Sequence, residues 1–338
     1  MDMEKTIYGH ETVKAELARM IREDRVPHAL LFTGPEGVGK RRMADAFAAA
    51  ILCEGASGAP CGHCASCQAM RRGAHPEFLA LEPEQRGKGT RQIRIETIRD
   101  MQARAAATIV FGDRRVIVID DADCMNEQAE NALLKTLEEP AGPVVFILVT
   151  SAEHALLDTI RSRCMPIRFG GIPRGDIEAA LRARGVEEAE IGELARLADG
   201  SLGRAIRLQE DGGLARQEDV RAFLRELPRM DMSAVWRRAK AMEDMTREEL
   251  AEWLSFLTMF LRDMLVLYED GGSPLLYHPG ERSGLLGMLD ALGLSGVRAL
   301  LAETRELDRR LRTNVSLKLQ TEGFLIRARA ILRRGAER

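Results

Sequence analysis

The feature of the sequence that most constrains its fold is the segment LFTGPEGVGKRRMADAF, residues 31–47. It joins an apolar, strand-like run to a helical pattern through a turn that contains Gly34, Gly37, Gly39 and Lys40. Glycines allow backbone N–H groups to turn inward around an anion, the start of the helix adds positive potential, and the lysine adds a charge. The segment therefore predicts a phosphate-binding loop between a strand and a helix. A glycine turn without a ligand is the alternative.

Apolar runs of strand length alternate with helical patterns over the first half of the chain. The predicted strands cover residues 28–33, 77–82, 114–120 and 143–150, and the predicted helices cover about 41–52, 95–107 and 126–138. The runs VIVI and VVFILV are apolar at every position, as parallel strands require when helices cover both faces. This order predicts a doubly wound α/β domain with a parallel sheet over residues 1–170.

After about residue 170 the strand signal disappears. Two short helical patterns that end at glycines predict a small helical domain over 171–212, and helical patterns continue over 213–338. The clearest helix starts at Thr246, where Glu249 completes a capping box. An apolar stripe follows at helical spacing: Leu250, Trp253, Leu254, Leu257, Leu261, Met264, Leu265 and Tyr268. The core of an intramolecular bundle is the simplest interpretation of this stripe.

Arg41 stands where a phosphate-binding loop normally carries Ser or Thr for Mg²⁺. A guanidinium has no lone pair to offer a metal, so nucleotide binding can survive while metal positioning suffers. Asp120 ends a predicted strand beside the loop, in the position that normally holds Mg²⁺. Asp121 follows where a longer glutamate would polarise water, and a change in reach of about 1 Å can cost on the order of 100-fold in rate. Two acids that only cap a strand are the alternative.

Four cysteines lie close together in the sequence CEGASGAPCGHCASC, residues 53–67. They are Cys53, Cys61, Cys64 and Cys67. Two consecutive C-x-x-C steps and a fourth cysteine supply the four thiolates of a closed tetrahedral site, which is typical of structural zinc. Redox activity is the alternative. Cys124 and Cys164 stand alone, and we expect them to be buried thiols.

Charge and hydropathy exclude some classes of protein. The formal net charge is −3, which argues against a generally basic nucleic-acid binder. Neither a secretory leader nor an apolar run of roughly 20 residues is visible, so we expect a cytoplasmic protein that does not bind membranes. Residues 86–99 carry five basic side chains against one acid: Arg86, Lys88, Arg91, Arg94 and Arg99. A solvated surface is the simple interpretation, and a patch that faces phosphates is the alternative.

Several segments together resemble the bacterial replicative clamp loader, a branch of the AAA+ ATPases. They are RVPHALLFTGPEGVGK (25–40), the inserted cysteine knuckle, NALLKTLEEP (131–140), the SRC triplet (162–164) and RTNVSLKLQTEGFL (312–325). The resemblance covers most of the chain. It implies an AAA+ phosphate-loop domain with a zinc knuckle of four cysteines, a small helical lid over 171–212 and a C-terminal helical collar over 213–338. In an assembled loader the collar helices would pack side by side and bury the apolar stripe.

The resemblance also distinguishes two kinds of subunit. The ATPase subunits of the family, gamma and tau, carry Thr or Ser after the loop lysine and an Asp-Glu pair, whereas this chain has Arg41 and Asp121. The segment GSLGRA (200–205) is similar to the lid of the family's stator, a subunit without effective ATP hydrolysis. The resemblance therefore implies a stator of the DNA polymerase III clamp loader. A gamma- or tau-like subunit that itself binds and hydrolyses ATP is the alternative.

For individual residues, the resemblance implies that Arg163 of the SRC triplet reaches ATP in a neighbouring ATPase subunit as an arginine finger. Thr150, or the adjacent Ser151, stands where the family places a polar sensor of the γ-phosphate, and Arg204 stands one position from the ATPase lid arginine. The implied cofactors are structural Zn²⁺ and ATP, with Mg²⁺ in question. The implied partners are gamma or tau, delta, the sliding clamp and primer-template DNA at the nucleoid.

Overall fold

The computed structural model describes residues 7–55, 57–84, 91–140, 142–210, 213–311 and 316–336. It divides into two compact units, Met1–Ile206 and Arg207–Arg338. The finer division into three domains, with boundaries near residues 170 and 212, stays a prediction.

The first unit is built on a parallel sheet of five strands. They are β1 (Ala29–Thr33), β2 (Phe78–Leu81), β3 (Arg115–Ile119), β4 (Val144–Thr150) and β5 (Met165–Arg168). The strand order is β2-β3-β4-β1-β5, and Leu31 of β1 is aligned with Leu148 of β4. Every residue of β1, β3 and β4 is buried. Their long apolar runs predict this, while Arg115 at the start of β3 is buried in an ion pair with Glu77.

Helices cover both faces of this sheet. The described helices of the unit are α1 (Glu11–Arg22), α2 (Lys40–Ile51), α3 (Ala65–Arg71), α4 (Ile95–Ala105), α5 (Glu127–Glu138), α6 (Asp158–Arg161), α7 (Arg174–Ala183), α8 (Glu188–Leu197) and α9 (Leu202–Glu210), the last of which crosses the unit boundary. Phe47 of α2 packs near Phe32 on one face. Ile98 of α4 and Leu133 of α5 pack with Leu31 on the other face. The predicted α/β fold class, a doubly wound parallel sheet with helices on both faces, is confirmed.

The sequence does not predict the strand β5, because its pattern there indicates a short helix followed by a loop. In β5 only Ile167 is buried, while Met165, Pro166 and Arg168 are exposed. The strand lies at the edge of the sheet, where a proline without an N–H is tolerated. Because β5 buries only one residue, it has no alternation of buried and exposed positions that could predict a strand from the sequence. The other strands and helices of this unit that the sequence predicts begin and end close to their predicted positions.

The second unit is helical, as predicted. Its described helices are α10 (Gly213–Glu226), α11 (Met232–Glu243), α12 (Arg247–Glu269), α13 (Arg282–Leu292), α14 (Leu294–Leu311) and α15 (Leu317–Ala336). The capping box of α12 is present in full, since the Thr246 hydroxyl accepts from the Glu249 N–H and the Glu249 carboxylate accepts from the Thr246 N–H. Residues 312–315, at the start of the segment compared with a collar helix, lie outside the described residues.

The apolar stripe of α12 is the core of this second unit. Trp253, Leu257 and Met264 are fully buried within the chain itself, and the Trp253 indole N–H donates to Asp219 on α10 at 2.8 Å. Tyr268, at the end of the stripe, is exposed instead. The unit's own helices therefore already cover the buried part of the stripe, as an intramolecular core predicts. Burial of the stripe by neighbouring subunits stays a prediction for exposed Tyr268 and half-buried Leu265.

Within the described segments, no single helix combines the length and the apolar composition that a membrane span needs. The bent pair formed by Pro279–Leu292 and α14 meets both criteria only when its two members are taken together.

Candidate functional site

The glycine loop connects β1 to α2 in the conformation that its sequence predicts. Gly34 has φ +147° and Gly37 has φ +73°, values that residues with a side chain rarely adopt. Neighbouring atoms also leave no space at these positions. A Cβ on Gly34 would lie 2.3 Å from the Phe169 carbonyl oxygen, and one on Gly37 would lie 2.3 Å from the Ser201 hydroxyl. Gly39 (φ +96°) precedes α2 directly, so the loop turns its backbone toward the helix N-terminus.

Lys40 is folded back into the loop. Its ammonium donates to the carbonyl oxygens of Gly34 at 2.8 Å and Pro35 at 2.6 Å, and the residue is buried. Burial lowers the pKa of Lys40, although the acids Glu36, Asp121 and Asp120 oppose this shift. A phosphate group that enters the loop can therefore replace the two carbonyl oxygens as the hydrogen-bond acceptor of the Lys40 ammonium.

Arg41 pairs with three carboxylates. Its Nε donates to Asp45 at 2.9 Å, and its Nη1 donates to Glu82 at 2.9 Å and to Asp120 at 3.2 Å. Burial lowers the pKa of Arg41, but the charges and hydrogen bond of these partners outweigh burial and raise the pKa overall. The acid that should hold Mg²⁺ is thus neutralised by a side chain of the loop itself.

Asp121 also faces an arginine. Its carboxylate lies 3.3 Å from Nη1 of Arg91, and its backbone is left-handed with φ +43°. Burial raises the pKa of Asp121, and the neighbouring Asp120 charge adds to the effect. Both acids at the end of β3 are therefore occupied by guanidinium groups from other parts of the chain.

The two hydroxyl residues at the end of β4, Thr150 in the strand and Ser151 just after it, have different surroundings. Thr150 is buried, its hydroxyl donates to Asp123, and it accepts from the Ala152 N–H at 2.9 Å. Ser151 instead lines a cavity beside the loop. Of the two hydroxyl residues considered from the sequence, Ser151 is the one that faces this space.

The cavity beside the loop has a volume of about 280 Å³. Its charged side is formed by residues 36–42 of the loop together with Asp120 and Asp121. Its other side is apolar and consists of Ile7, Tyr8, Val149, Ile172, Leu202 and Ile206. No motif predicts this apolar wall, because its residues come from the segment before α1, the end of β4, the segment between β5 and α7, and the first half of α9. A cavity with one charged and one apolar side suits a phosphorylated ligand with a planar ring.

The start of α9 lies directly on the loop. The Gly203 N–H donates to the Gly37 carbonyl oxygen at 2.8 Å. A Cβ on Gly203 would lie 2.9 Å from the Gly37 Cα, so two glycine backbones meet without side chains between them. Arg204, the arginine that follows, donates its backbone N–H to the Ser201 hydroxyl. The helix that would form the lid is thus seated on the phosphate-binding loop.

We expect Gly203→Ala to disturb this seating, because the added methyl group meets backbone rather than a flexible side chain. Overpacking of this kind costs about 1–3 kcal/mol of unfolding free energy, which urea unfolding measures. Gly175→Ala is the matched control, since a Cβ there meets nothing within 4 Å and alanine favours a helix. Equal stability of the Gly203→Ala variant and the wild type would contradict the contact.

The four predicted cysteine ligands come together at the end of α2 and the start of α3. Their sulfur atoms all lie within 4.8 Å of one another, with 4.0 Å between Cys53 and Cys64 and 3.9 Å between Cys61 and Cys67. Tetrahedral zinc with Zn–S distances of about 2.3 Å requires sulfur atoms about 3.8 Å apart. The arrangement therefore fits a metal ion.

Backbone groups of the knuckle point at the same sulfur atoms. The Cys61 N–H donates to the Cys53 sulfur at 3.4 Å, and the Cys64 N–H donates to the Cys61 sulfur at 3.4 Å. The Cys67 N–H donates to the Cys64 sulfur at 3.3 Å. Backbone N–H groups of His63 and Cys64 lower the pKa of Cys61 to about 6, whereas burial raises the pKa of Cys67 to about 12. Of the remaining cysteines, Cys164 is buried and Cys124 is half-buried.

Arg163 lies in the turn between α6 and β5. Its Nη1 donates to the Thr159 carbonyl oxygen at 3.0 Å, and its Nη2 pairs with Glu138 at the end of α5. It is not part of the lining of the cavity beside Lys40. The guanidinium is held by its own chain at the surface, with 35% of the side chain exposed.

Comparison with known proteins places this architecture in a family. A sequence model described as DNA polymerase III, delta subunit, matches residues 9–173. The delta' subunit of Pseudomonas aeruginosa is 38% identical over 212 residues, which is 61% of this chain and 63% of that protein. The delta' subunit of Escherichia coli is 31% identical over 254 residues, which is 74% of this chain and 73% of that protein. The chain belongs to the DNA polymerase III delta' family.

A solved structure is also similar, the gamma subunit-related protein of DNA polymerase III from Thermotoga maritima. The match covers 94% of this chain and 99% of that one, with 18% identity and a TM-score of 0.36. The sequence match to the two delta' subunits spans 63% and 73% of the length of those relatives.

In this delta' family member, the predicted basic patch is only partly described. Arg86 and Lys88 lie outside the described residues. Arg91 pairs with Asp121, Arg94 precedes α4, and Arg99 is exposed on α4. One of the three described arginines therefore belongs to the phosphate-loop site.

Proposed function

We propose that the chain acts as the stator subunit of a DNA polymerase III clamp loader and helps to load the sliding clamp onto primed DNA in the cytoplasm. Its partners are the gamma or tau subunits, the delta subunit, the clamp and primer-template DNA. Membership of the delta' family and the phosphate-loop fold support this role. Reconstitution from purified subunits tests it: clamp loading that proceeds equally well without this chain would contradict the proposal.

The observation that carries the non-hydrolysing role is the ion pair between Arg41 and Asp120, 3.2 Å long. Phosphoryl transfer in enzymes with this loop relies on a loop hydroxyl and a strand-end acid that together hold Mg²⁺. Here the hydroxyl is replaced by a guanidinium, and that guanidinium binds the acid. The site has the shape of a nucleotide pocket but lacks the groups that position a metal for hydrolysis.

In the assembled loader, this chain then contributes a catalytic side chain to the ATP site of an adjacent subunit. Arg163 is partly exposed and lies outside the lining of the cavity beside Lys40. Its bonds to the Thr159 carbonyl oxygen and Glu138 use two of the five N–H donors of the guanidinium. We infer that it approaches the γ-phosphate of ATP bound to the adjacent ATPase subunit and stabilises the charge that develops there.

The cysteine knuckle would bind a structural metal ion. Cys53, Cys61, Cys64 and Cys67 would hold Zn²⁺ as four thiolates. With four protein ligands no coordination position remains for substrate, so the ion stabilises the knuckle and takes no part in catalysis.

The second candidate is a gamma- or tau-like subunit that hydrolyses ATP itself. The intact loop with Lys40 and the adjoining cavity favour it. An ATPase assay of the isolated chain, with the clamp and primed DNA present, separates the two. We expect turnover indistinguishable from the buffer blank because the metal ligands are missing, whereas a rate near the enzyme median of roughly 10 s⁻¹ would contradict the stator role. The complete loader serves as the positive control.

A further inference from the structure

The phosphate-loop pocket does not fit Mg²⁺. A divalent magnesium ion needs oxygen ligands, and the loop offers none after Lys40, because Arg41 replaces the hydroxyl residue. Both strand-end acids already face a guanidinium: Asp121 lies 3.3 Å from Arg91 Nη1, and Asp120 accepts a hydrogen bond from Arg41 Nη1 at 3.2 Å. A metal ion next to this acid would also be repelled by the guanidinium, which cannot lose its proton.

The guanidinium is fixed from three directions. Asp45, one turn further along α2, binds its Nε at 2.9 Å, and Glu82, just after β2, binds Nη1 at 2.9 Å. Asp120, just after β3, completes the set. Only a quarter of the Arg41 side chain is exposed. The positive charge of Arg41 is thus held next to the loop, near the ends of β2 and β3. Because Arg41 is part of the chain, this cation cannot dissociate as a metal ion can.

The position of this charge matters for an anionic ligand. The cavity is lined by three acids, Glu36, Asp120 and Asp121, and by three cations, Lys40, Arg41 and Arg42. An unpaired Asp120 would repel the phosphates of a bound nucleotide. Pairing with Arg41 reduces this repulsion without a metal ion, while the loop N–H groups and Lys40 remain to bind phosphate oxygens.

We propose that this pocket binds a nucleoside triphosphate in its metal-free form, with Arg41 as a tethered cation in place of Mg²⁺. The inference rests on the proposed non-hydrolysing role, since a nucleotide held without metal is not activated for transfer. The phosphates lie on the loop between Gly37 and Lys40, and the base lies against the apolar wall that includes Tyr8, Ile172 and Leu202. The ammonium of Lys40 exchanges its two carbonyl partners for phosphate oxygens.

Calorimetric titration of the full chain with ATP, once in EDTA and once in excess Mg²⁺, tests this proposal. We expect the wild type to bind ATP in EDTA and Mg²⁺ to leave the affinity unchanged or to weaken it. In Arg41→Thr, which restores a hydroxyl, we expect affinity in EDTA to fall by about tenfold or more, since a paired charge is lost. Added Mg²⁺ should then restore much of the affinity of this variant.

Two further variants separate a specific effect from a loss of folding. Arg41→Lys keeps the tethered charge and should retain more binding in EDTA than Arg41→Thr. Arg25→Thr removes an exposed arginine outside the cavity lining and should bind as the wild type does. Mn²⁺, a paramagnetic substitute for Mg²⁺, gives an independent signal: with ATP present, protein-bound Mn²⁺ should appear in Arg41→Thr and not in the wild type.

Three results would overturn the proposal: ATP binding that requires Mg²⁺ in the wild type, an Arg41→Thr variant with unchanged affinity in EDTA, or no ATP binding under either condition. None of these results touches the stator role, which is read from clamp loading by the assembled complex. Conversely, hydrolysis by the isolated chain would overturn the stator role and would show itself as product formation during the titration.

Discussion

Replacing Arg163 by alanine is expected to leave one ATP site of the assembled clamp loader without its arginine finger. Fingers of this kind contribute about 10³–10⁵-fold to the rate of hydrolysis at the site they serve. The defect belongs to the neighbour's site, so the other sites keep their rates. Rapid-quench measurement of a single turnover in the presence of clamp and primed DNA should therefore show a smaller burst, with one ATP per complex left unhydrolysed.

Two further variants serve as controls for the Arg163→Ala measurement. Arg161→Ala, two residues earlier in α6, removes an arginine that pairs with Asp158 and should leave the burst unchanged. Arg163→Lys keeps the charge but loses the planar fork of donors, so we expect only partial recovery. A full burst from a correctly assembled Arg163→Ala complex would show that this residue is not the finger.

The phosphate-binding loop could be predicted from the sequence because its information is local. Glycines at positive φ, a lysine at the start of a helix and a preceding apolar strand all lie within residues 29–51. The cysteine site is local as well, since its four ligands lie within 15 residues along the chain and the spacing itself determines which sulfur atoms can meet.

The partners of Arg41 could not be predicted in this way. Its spacing to Asp45 is one helical turn, but Glu82 and Asp120 are 41 and 79 residues away. Only the sheet order, which places β2 and β3 side by side, brings those two acids to the loop. The sequence indicated that Arg41 cannot bind a metal, whereas the fold adds that it occupies the acid a metal would use.

The α12 stripe illustrates a limit of periodicity. Apolar residues at three- and four-residue spacing predict that one side of a helix is covered, but they do not say whether the cover comes from the same chain or from another. Packing decides this for Trp253 and Leu257, which are fully buried inside their own unit. The buried members of the stripe are therefore not available for contacts with other subunits.

Removing one ligand of the cysteine cluster is expected to abolish stable zinc binding and to unfold the knuckle. Cys64→Ser leaves three thiolates around the ion, and Cys64 also begins α3 by accepting the Cys67 N–H at its sulfur. Structural zinc sites in small peptides contribute apparent binding free energies of about 10–16 kcal/mol at pH 7, far more than a typical single substitution changes. Metal analysis of protein purified without chelator should give one zinc per wild-type chain and much less for the variant.

The pH dependence of metal binding gives a second measurement. Burial raises the pKa of Cys67 to about 12 in the metal-free protein, so this thiol is protonated at neutral pH and must release its proton when the metal binds. Proton release on binding means that zinc affinity increases as pH rises and weakens as pH falls. Competition with a zinc chelator between about pH 6 and 8, well below that pKa, should therefore show tighter binding at the alkaline end.

Cys124→Ser is the matched control for both measurements, because Cys124 lies outside the cluster and its replacement changes the same atoms. This variant should keep its zinc, and its free energy of unfolding should stay within about 0.5 kcal/mol of the wild type. The four sulfur atoms of the cluster all lie within 4.8 Å of one another. A wild-type chain that contains no zinc, and that unfolds identically with and without chelator, would therefore contradict a structural metal. The knuckle would then have to be stable through hydrogen bonds such as that between Ser66 and the Leu52 carbonyl oxygen, a contact that is far weaker than a metal site.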